Sequence, residues 1–90
     1  MTETTITVTH PVGLHARPAA VFVQTARQFK SKITIENRDR PEKKPVSISA
    51  FNLLQIGVKT GHTVVIRAEG EDEAAAIAAL QKLVEDNFGE

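Results

Sequence analysis

Three histidines are the residues of this 90-residue chain with the clearest capacity for chemistry, because the chain contains no cysteine. They stand at positions 10, 15 and 62. No two of them have the close helical spacing of a metal site, so the sequence predicts no metal ligands. His10, at the end of a predicted strand, and His62, in a predicted turn, are interpreted as exposed loop histidines.

His15 differs because it lies where a loop enters a predicted helix, in the stretch GLHARPAA from Gly13 to Ala20. Amides in the first turn of a helix have no intrahelical acceptor, and the helix dipole is positive at that end. An anion held there would meet free amides and the guanidinium of Arg17. An imidazole at that point can act as a nucleophile and carry the anion covalently. The other interpretation is an exposed capping residue.

Pro18 leaves two starting points for this helix. Proline is tolerated in a first turn, where its missing amide hydrogen is not needed. It also disfavours helical geometry at the preceding residue, Arg17. The helix therefore begins either at Pro18 or near Ala16, and both choices leave His15 at its mouth.

The periodicity of apolar residues predicts four strands and three helices around this loop. The strands are expected over 4–9, 32–36, 46–48 and 63–68, and the helices over 16–29, 50–56 and 73–87. Asp72 is the candidate N-cap of the last helix. Leu53 and Ile56 are the core candidates of the short second helix. The order indicates one domain over 1–90, an α+β fold with helices packed on one face of a single sheet.

Composition excludes several classes of function. With 11 basic and 11 acidic residues the net charge is zero, which argues against nucleic acid or an anionic membrane as partner. No run approaches the ~18 apolar residues of a membrane span, and the polar N-terminus does not resemble a signal peptide. We therefore expect a cytoplasmic protein without membrane insertion. The stretch from Val46 to Val58 contains no charged residue and is unusual for that reason.

The segment Gly13–Ala19 resembles the active-site segment of the HPr family, the histidine phosphocarriers of the bacterial phosphoenolpyruvate:sugar phosphotransferase system. The resemblance extends from Ile6 to about Phe88 and includes Ser49–Val58 and Ala68–Glu73. It implies an open-faced β-sandwich, in which a four-stranded antiparallel sheet carries three helices on one face (βαββαβα).

The resemblance also implies a carrier, not a free-standing enzyme. His15 would accept a phosphoryl group on Nδ1 from phosphorylated Enzyme I and pass it to Enzyme IIA domains of sugar permeases. Arg17 would orient and partly neutralise the group, and the amides of Ala16 and Arg17 would complete its cradle. No cofactor is implied, and a carrier that alternates between two partners is most simply a monomer.

The uncharged stretch gains an interpretation from the same resemblance. An exposed apolar patch beside His15 would dock both the donor and the acceptor of the phosphoryl group. Such an interface must form and release, so it should be small and only partly apolar. Its expected members are Ala16, Ala20, Ala50, Phe51 and Leu54.

Ser49 stands where some family members carry a regulatory serine. An ATP-dependent serine kinase phosphorylates that residue, which blocks Enzyme I and recruits a catabolite regulator. Added charge there would disturb an apolar docking patch. A plain helix N-cap is the favoured interpretation of Ser49. Ile48 before it replaces the basic residue expected in many regulated members, which weakens the regulatory interpretation.

Two further departures from the family pattern are Val12, in place of a polar residue, and the connection 38–45. That connection looks about three residues longer than usual and is interpreted as a tolerated surface insertion. Three other functions stay open beside the sugar-system carrier. They are a carrier of a nitrogen-linked regulatory phosphorelay, a regulatory binding module that carries no phosphate, and a small phosphatase that uses His15.

Overall fold

The fold is built from a four-stranded sheet and the helices that pack on it. The computed structural model describes residues 1–9 and 16–86, with the backbone alone at positions 16, 17, 50, 51 and 54. The strands are β1 (Thr2–Thr7), β2 (Lys32–Asn37), β3 (Val46–Ser47) and β4 (Thr63–Glu69). The helices are α1 (Ala16–Ala26), the short α2 (Ala50–Gln55) and α3 (Glu73–Glu85).

The sheet has the order β1-β4-β2-β3, and every neighbouring pair is antiparallel. Strand β4 is therefore a central strand, with Ile66 opposite Thr4 on one side and opposite Ile35 on the other. The last residues of β1 and β2 meet the start of β4, since Thr7 pairs with Thr63 and Asn37 with Val64. We call this the upper end of the sheet. The expected four-stranded antiparallel sheet is confirmed.

One face of the sheet carries the core. Alternate residues of β2 and β4 are buried there, as period-2 patterning requires. They pack in one cluster with the buried side chains of the helices, among them Phe22 of α1, Leu53 of α2 and Leu80 of α3, each 0% exposed. The predicted core positions Leu53 and Ile56 are both confirmed.

The opposite face is covered by polar side chains. The Arg67 guanidinium on β4 lies between Glu3 of β1 and Glu36 of β2, with N–O distances of 2.9 and 3.0 Å. The hydrogen bond to Glu36 is the main reason that the pKa of Arg67 lies above its ordinary value. Val65 is 0% exposed on this face. These cross-strand pairs stabilise the face of the sheet that the described helices do not cover.

Strand β1 and helix α1 differ most from their predicted bounds. Strand β1 covers Thr2–Thr7 instead of 4–9, and its first residues are held by α3, because the Thr2 hydroxyl donates to Glu73 at 2.6 Å. Helix α1 ends at Ala26 instead of Phe29. The amides of Gln28 and Phe29 reach back three residues, to Thr25 and Ala26, so this last turn tightens beyond the α-helix.

Asp72 stands at the N-cap position of α3, but its side chain makes no capping hydrogen bond. Its carboxylate instead accepts the amides of Lys30 and Ser31, at 2.8 and 2.9 Å, together with the Ser31 hydroxyl. The predicted N-cap position is therefore confirmed, but the carboxylate joins the start of α3 to the turn before β2 instead of capping the helix. These bonds, that from the Ser31 hydroxyl above all, hold the pKa of Asp72 below its ordinary value.

Gly70 permits this junction. Its φ of +154° is rarely adopted by other residues, and a Cβ atom there would lie 2.8 Å from the Cα of Ser31. The close approach of residues 31 and 70 therefore requires the absence of a side chain.

Within the described ranges, no helix combines the length and the apolar character needed to cross a bilayer.

Candidate functional site

Helix α1 begins at Ala16, the residue that follows His15 in the chain. Of the two predicted starting points, the earlier one is therefore correct. The first turn offers the amide hydrogens of Ala16 and Arg17, since Pro18 has none. It contains no acidic residue, so no carboxylate of that turn offsets the positive end of the helix dipole. The backbone suits a negatively charged group placed just before the helix.

Pro18 and Ala19 fasten this first turn to the protein body. Both are buried, and Ala19 belongs to the hydrophobic core. Phe22, one turn further along, is also 0% exposed. The residues that follow His15 in α1 are therefore anchored by burial in the core.

Helix α2 packs beside α1. Because β3 and α2 are joined by two residues and Ile56 lies against the end of β2, α2 runs toward the upper end of the sheet. The two helices therefore lie side by side.

The expected docking patch is described in part. Ala20 of α1 is exposed, as docking requires. The side chains of the other expected members, Ala16, Ala50, Phe51 and Leu54, lie outside the described part of the structure, although their backbones belong to α1 and α2. Leu53 and Ile56 point into the core and are excluded from the patch.

Ser49 caps α2. Its hydroxyl oxygen accepts the amide of Asn52 at 3.1 Å, and its carbonyl accepts the amide of Leu53 at 2.9 Å. The Asn52 side chain donates in turn to the carbonyl of Ser47 at 3.1 Å. This is the geometry of an N-cap residue, so the favoured interpretation of Ser49 is confirmed. The side chain is half-buried.

The strand that leads to the His15 loop is fastened at Val8, which is 0% exposed. Its amide donates to the carbonyl of His62 at 2.9 Å, and its carbonyl accepts the amide of Gly61 at 2.8 Å. These bonds extend the β1–β4 ladder by one step. Residues 10–15 lie outside the described residues. The expectations for His10 and His15 therefore stay predictions.

His62 is not the exposed loop residue that the sequence predicts. It is half-buried, and its Nδ1 faces the Asn37 side-chain amide at 3.1 Å and the Lys59 backbone amide at 3.2 Å. Asn37 is itself 0% exposed and was not singled out in the sequence. A signal was present, since Asn37 continues the inward alternation of Ile33 and Ile35 as a polar residue at a core position.

The connection after β2 is exposed over residues 41–45 but held at its base. The Asp39 carboxylate accepts the amide of Thr63 at 2.5 Å, and the Arg40 side chain donates to the carbonyl of Gly57 at 3.3 Å. The predicted surface position of this connection is correct. Its fastening to the turn after α2 was not predicted.

Residues 1–9 and 16–86 contain no group of three or more histidine, aspartate or glutamate side chains placed to hold a metal ion.

Comparisons with known proteins agree with this fold. The family model described as "PTS HPr component phosphorylation site" matches residues 2–86. The phosphocarrier protein HPr of Xylella fastidiosa is 40% identical over 90 residues, covering 100% of this chain and 98% of that protein. The crystal structure of HPr-C-His from Thermoanaerobacter tengcongensis superposes with a TM-score of 0.91 at 46% identity and covers 100% of this chain and 98% of that one.

A longer relative matches as well. The multiphosphoryl transfer protein of Haemophilus influenzae is 38% identical over 86 residues, which are 96% of this chain but 17% of that protein. The chain thus spans less than a fifth of the length of this relative. It belongs to the HPr family, the phosphocarriers of the phosphotransferase system.

Proposed function

We propose that the chain carries a phosphoryl group on His15 from phosphorylated Enzyme I to Enzyme IIA domains of sugar permeases. The observation that carries this proposal is the match to the phosphorylation-site family over residues 2–86, a range that contains His15. The start of α1 at Ala16 supports it, because free amides follow the histidine directly.

The reaction is a transfer between two nitrogen atoms. The lone pair of the unprotonated His15 Nδ1 attacks the phosphorus of the donor's phosphohistidine. As the new N–P bond forms, the bond to the donor nitrogen breaks and its electron pair returns to the donor imidazole. The amides of Ala16 and Arg17 and the Arg17 guanidinium stabilise the charge on the phosphoryl oxygens. The second transfer repeats these events with His15 as the leaving group.

Both partners dock on the surface that α1 and α2 form together. Its proposed contact residues are Ala16, Ala20, Ala50, Phe51 and Leu54. The exposure of Ala20 and the packing of α2 beside α1 support this assignment. A shared surface also explains how one small chain serves two partners, since each must leave before the other binds.

The test is the intact mass of the protein after incubation with phosphoenolpyruvate, magnesium and a bacterial Enzyme I. We expect one added phosphoryl group that is labile in acid and stable in base. The His15→Ala variant should gain none, whereas His10→Ala and His62→Asn should each gain one. The Arg17→Gln variant should accept the group more slowly than the native protein.

The outcomes separate the candidate functions. Transfer onward to an Enzyme IIA domain of a sugar permease supports the proposal, and transfer only to the acceptor of a nitrogen-linked relay would replace it with that relay. Release of inorganic phosphate without an acceptor would indicate a phosphatase. If the folded protein shows no mass change with Enzyme I from its own organism, the remaining candidate function is a regulatory binding module.

Ser49 is a second candidate site, for regulatory phosphorylation by a serine kinase with consequences for Enzyme I and a catabolite regulator. Its position at the start of α2, next to the proposed docking surface, supports the idea. Incubation with ATP and such a kinase should add a phosphoryl group that survives acid and is absent in Ser49→Ala. Acid stability distinguishes it from the group on His15.

A further inference from the structure

The pair formed by Asn37 and His62 joins several segments at the upper end of the sheet. Asn37 ends β2, and His62 closes the turn before β4. The Asn37 side chain also donates to the carbonyl of Ile56, after α2, at 3.0 Å, and accepts the amide of Asp39 at 3.0 Å. One buried amide therefore connects the end of α2, the connection after β2 and the turn before β4.

The partners of Asn37 fix the orientation of its amide. The carbonyl of Ile56 can only accept a hydrogen bond, so the atom facing it is Nδ2. The amide of Asp39 can only donate, so the atom facing it is Oδ1. The contact from Asn37 to His62 is made by the same Nδ2 group, and Asn37 is accordingly a donor to the ring.

This orientation in turn fixes the state of the His62 ring. Nδ1 faces two donors, the Asn37 side chain and the Lys59 backbone amide, so it must present its lone pair. This arrangement corresponds to the ring tautomer that carries its proton on Nε2. A proton on Nδ1 would face two N–H groups and remove both bonds.

The backbone of His62 also holds Val8, in the chain segment that leads to His15. The backbone carbonyl of His62 accepts the amide of Val8, the last buried residue before residues 10–15. The side chain of His62 closes the turn that presents this carbonyl, through the Lys59 amide. Through Asn37, that turn is tied to Ile56, directly after α2, the helix that contributes three residues to the proposed docking surface.

We infer that Asn37 and His62 are positioning residues for phosphoryl transfer, which set the place of Val8, at the end of the segment that precedes His15, relative to α2. The inference rests on the proposed function of His15. A partner docked on α1 and α2 must present its phosphoryl group in line with the acceptor, and small displacements in such a step are costly. Loss of the Asn37–His62 hydrogen bond leaves β1 and α2 folded but loosens the position of Val8 relative to α2.

The experiment compares His62→Ala with His62→Asn. Asparagine places an oxygen acceptor where Nδ1 stood, so it can keep both hydrogen bonds, whereas alanine removes them. Thr4→Ala is the matched control, because it removes one side-chain hydrogen bond, to Gln81 at 3.0 Å, on the α3 side of β1. All variants are assayed at a temperature at which unfolding curves show them folded.

For His62→Ala we expect a fall of about tenfold in kcat for phosphoryl acceptance from Enzyme I, with KM changed less than twofold. His62→Asn should restore kcat to within about twofold of the native protein, and Thr4→Ala should not lower it. Hydrogen exchange of the Val8 amide should speed up in His62→Ala but not in His62→Asn. Ring nitrogen spectra of the native protein at neutral pH should show Nδ1 without a proton.

Each contrary result has a separate meaning. If the native protein accepts the phosphoryl group and His62→Ala accepts it with the same kcat, the positioning role is overturned but the proposed function stands. The same conclusion follows if Thr4→Ala loses as much kcat, since the effect would then come from stability, or if Nδ1 carries the proton. A native protein that accepts no phosphoryl group overturns the proposed function, and the positioning role falls with it.

Discussion

The hydroxyl oxygen of Ser49 accepts the backbone amide of Asn52 at 3.1 Å. The side chain that a serine kinase would modify therefore already caps α2, because it accepts an amide that has no acceptor within the helix. Modification of this oxygen would also change the cap of the helix. Variants of Ser49 therefore test both helix stability and regulation.

Replacement of Ser49 by alanine should lower the free energy of unfolding by about 1 kcal/mol, because the Asn52 amide loses its partner. Ser49→Asp should stay close to the native value, since a carboxylate caps a helix and favours its positive end. Urea unfolding of the three proteins measures this. Equal stability of Ser49→Ala and the native protein would show that the cap contributes nothing.

The same aspartate variant tests regulation. A negative charge beside the proposed docking surface should reduce phosphoryl acceptance from Enzyme I several-fold, although the fold is intact. The measurement is the initial rate of phosphorylation of Ser49→Asp and Ser49→Ala. If both accept the group at the native rate, charge at this position does not govern docking.

Gly70 and Gly61 form a matched pair for a backbone prediction. Both have positive φ, +154° and +91°, but a Cβ atom at Gly70 meets Ser31 at 2.8 Å, whereas one at Gly61 has nothing within 4 Å. Gly70→Ala should therefore cost more than Gly61→Ala, and more than about 1 kcal/mol in absolute terms. Thermal or urea unfolding of the two variants measures the loss of stability. A larger loss for Gly61→Ala than for Gly70→Ala would contradict the close approach of Gly70 and Ser31.

Asp72 should make the stability depend on pH in acid. Its pKa lies below the ordinary value in the folded protein because the Ser31 hydroxyl and nearby amides bind its charged form. The stabilisation is thus fully present above the unfolded pKa of about 3.9 and is lost as the pH falls through the lower folded value.

Asp72→Asn should be less stable than the native protein at pH 7, and the difference should shrink as the pH falls below about 4. Free energies of unfolding measured from pH 7 to pH 2 show this convergence. Glu71→Gln, at an exposed neighbouring position, is the control and should run parallel to the native curve. A gap for Asp72→Asn that stays constant with pH would contradict the assignment.

Substitutions at Leu53 of α2 and Ala20 of α1 distinguish a core position from a position on the proposed docking surface. Leu53 is 0% exposed, so Leu53→Ala should lower the free energy of unfolding by about 2–5 kcal/mol. Ala20 is exposed, so Ala20→Glu should change it by less than about 0.5 kcal/mol and yet raise KM for Enzyme I. Unchanged kinetics of Ala20→Glu would remove this residue from the proposed surface.

The strands and the core were accessible from the sequence because they follow from alternation. Ile33, Ile35 and Ile66 are buried as that pattern predicts. The bounds of β1 could not be predicted in this way. Its first residues are held by Glu73, which is far along the chain. The pattern of threonines alone could not reveal a partner on α3.

The site was predicted mainly from one loop and the helix that follows it. The start of α1 at Ala16 and the capping by Ser49 follow from local rules, which sequence carries well. Asp72 shows the limit of those rules, because it fits an N-cap but bonds to Ser31 instead. His62 was missed for a related reason, since its neighbour Asn37 is remote in sequence and only the fold brings them together.

The central place of β4 has a consequence for how the chain is made. Strands β1 and β2 both pair with β4, and Thr2 lies opposite Ala68. During translation the first two strands leave the ribosome with no sheet partner between them. The sheet can close only after residues 63–69 emerge, so we expect the nascent chain to expose apolar strand surface until that strand is available.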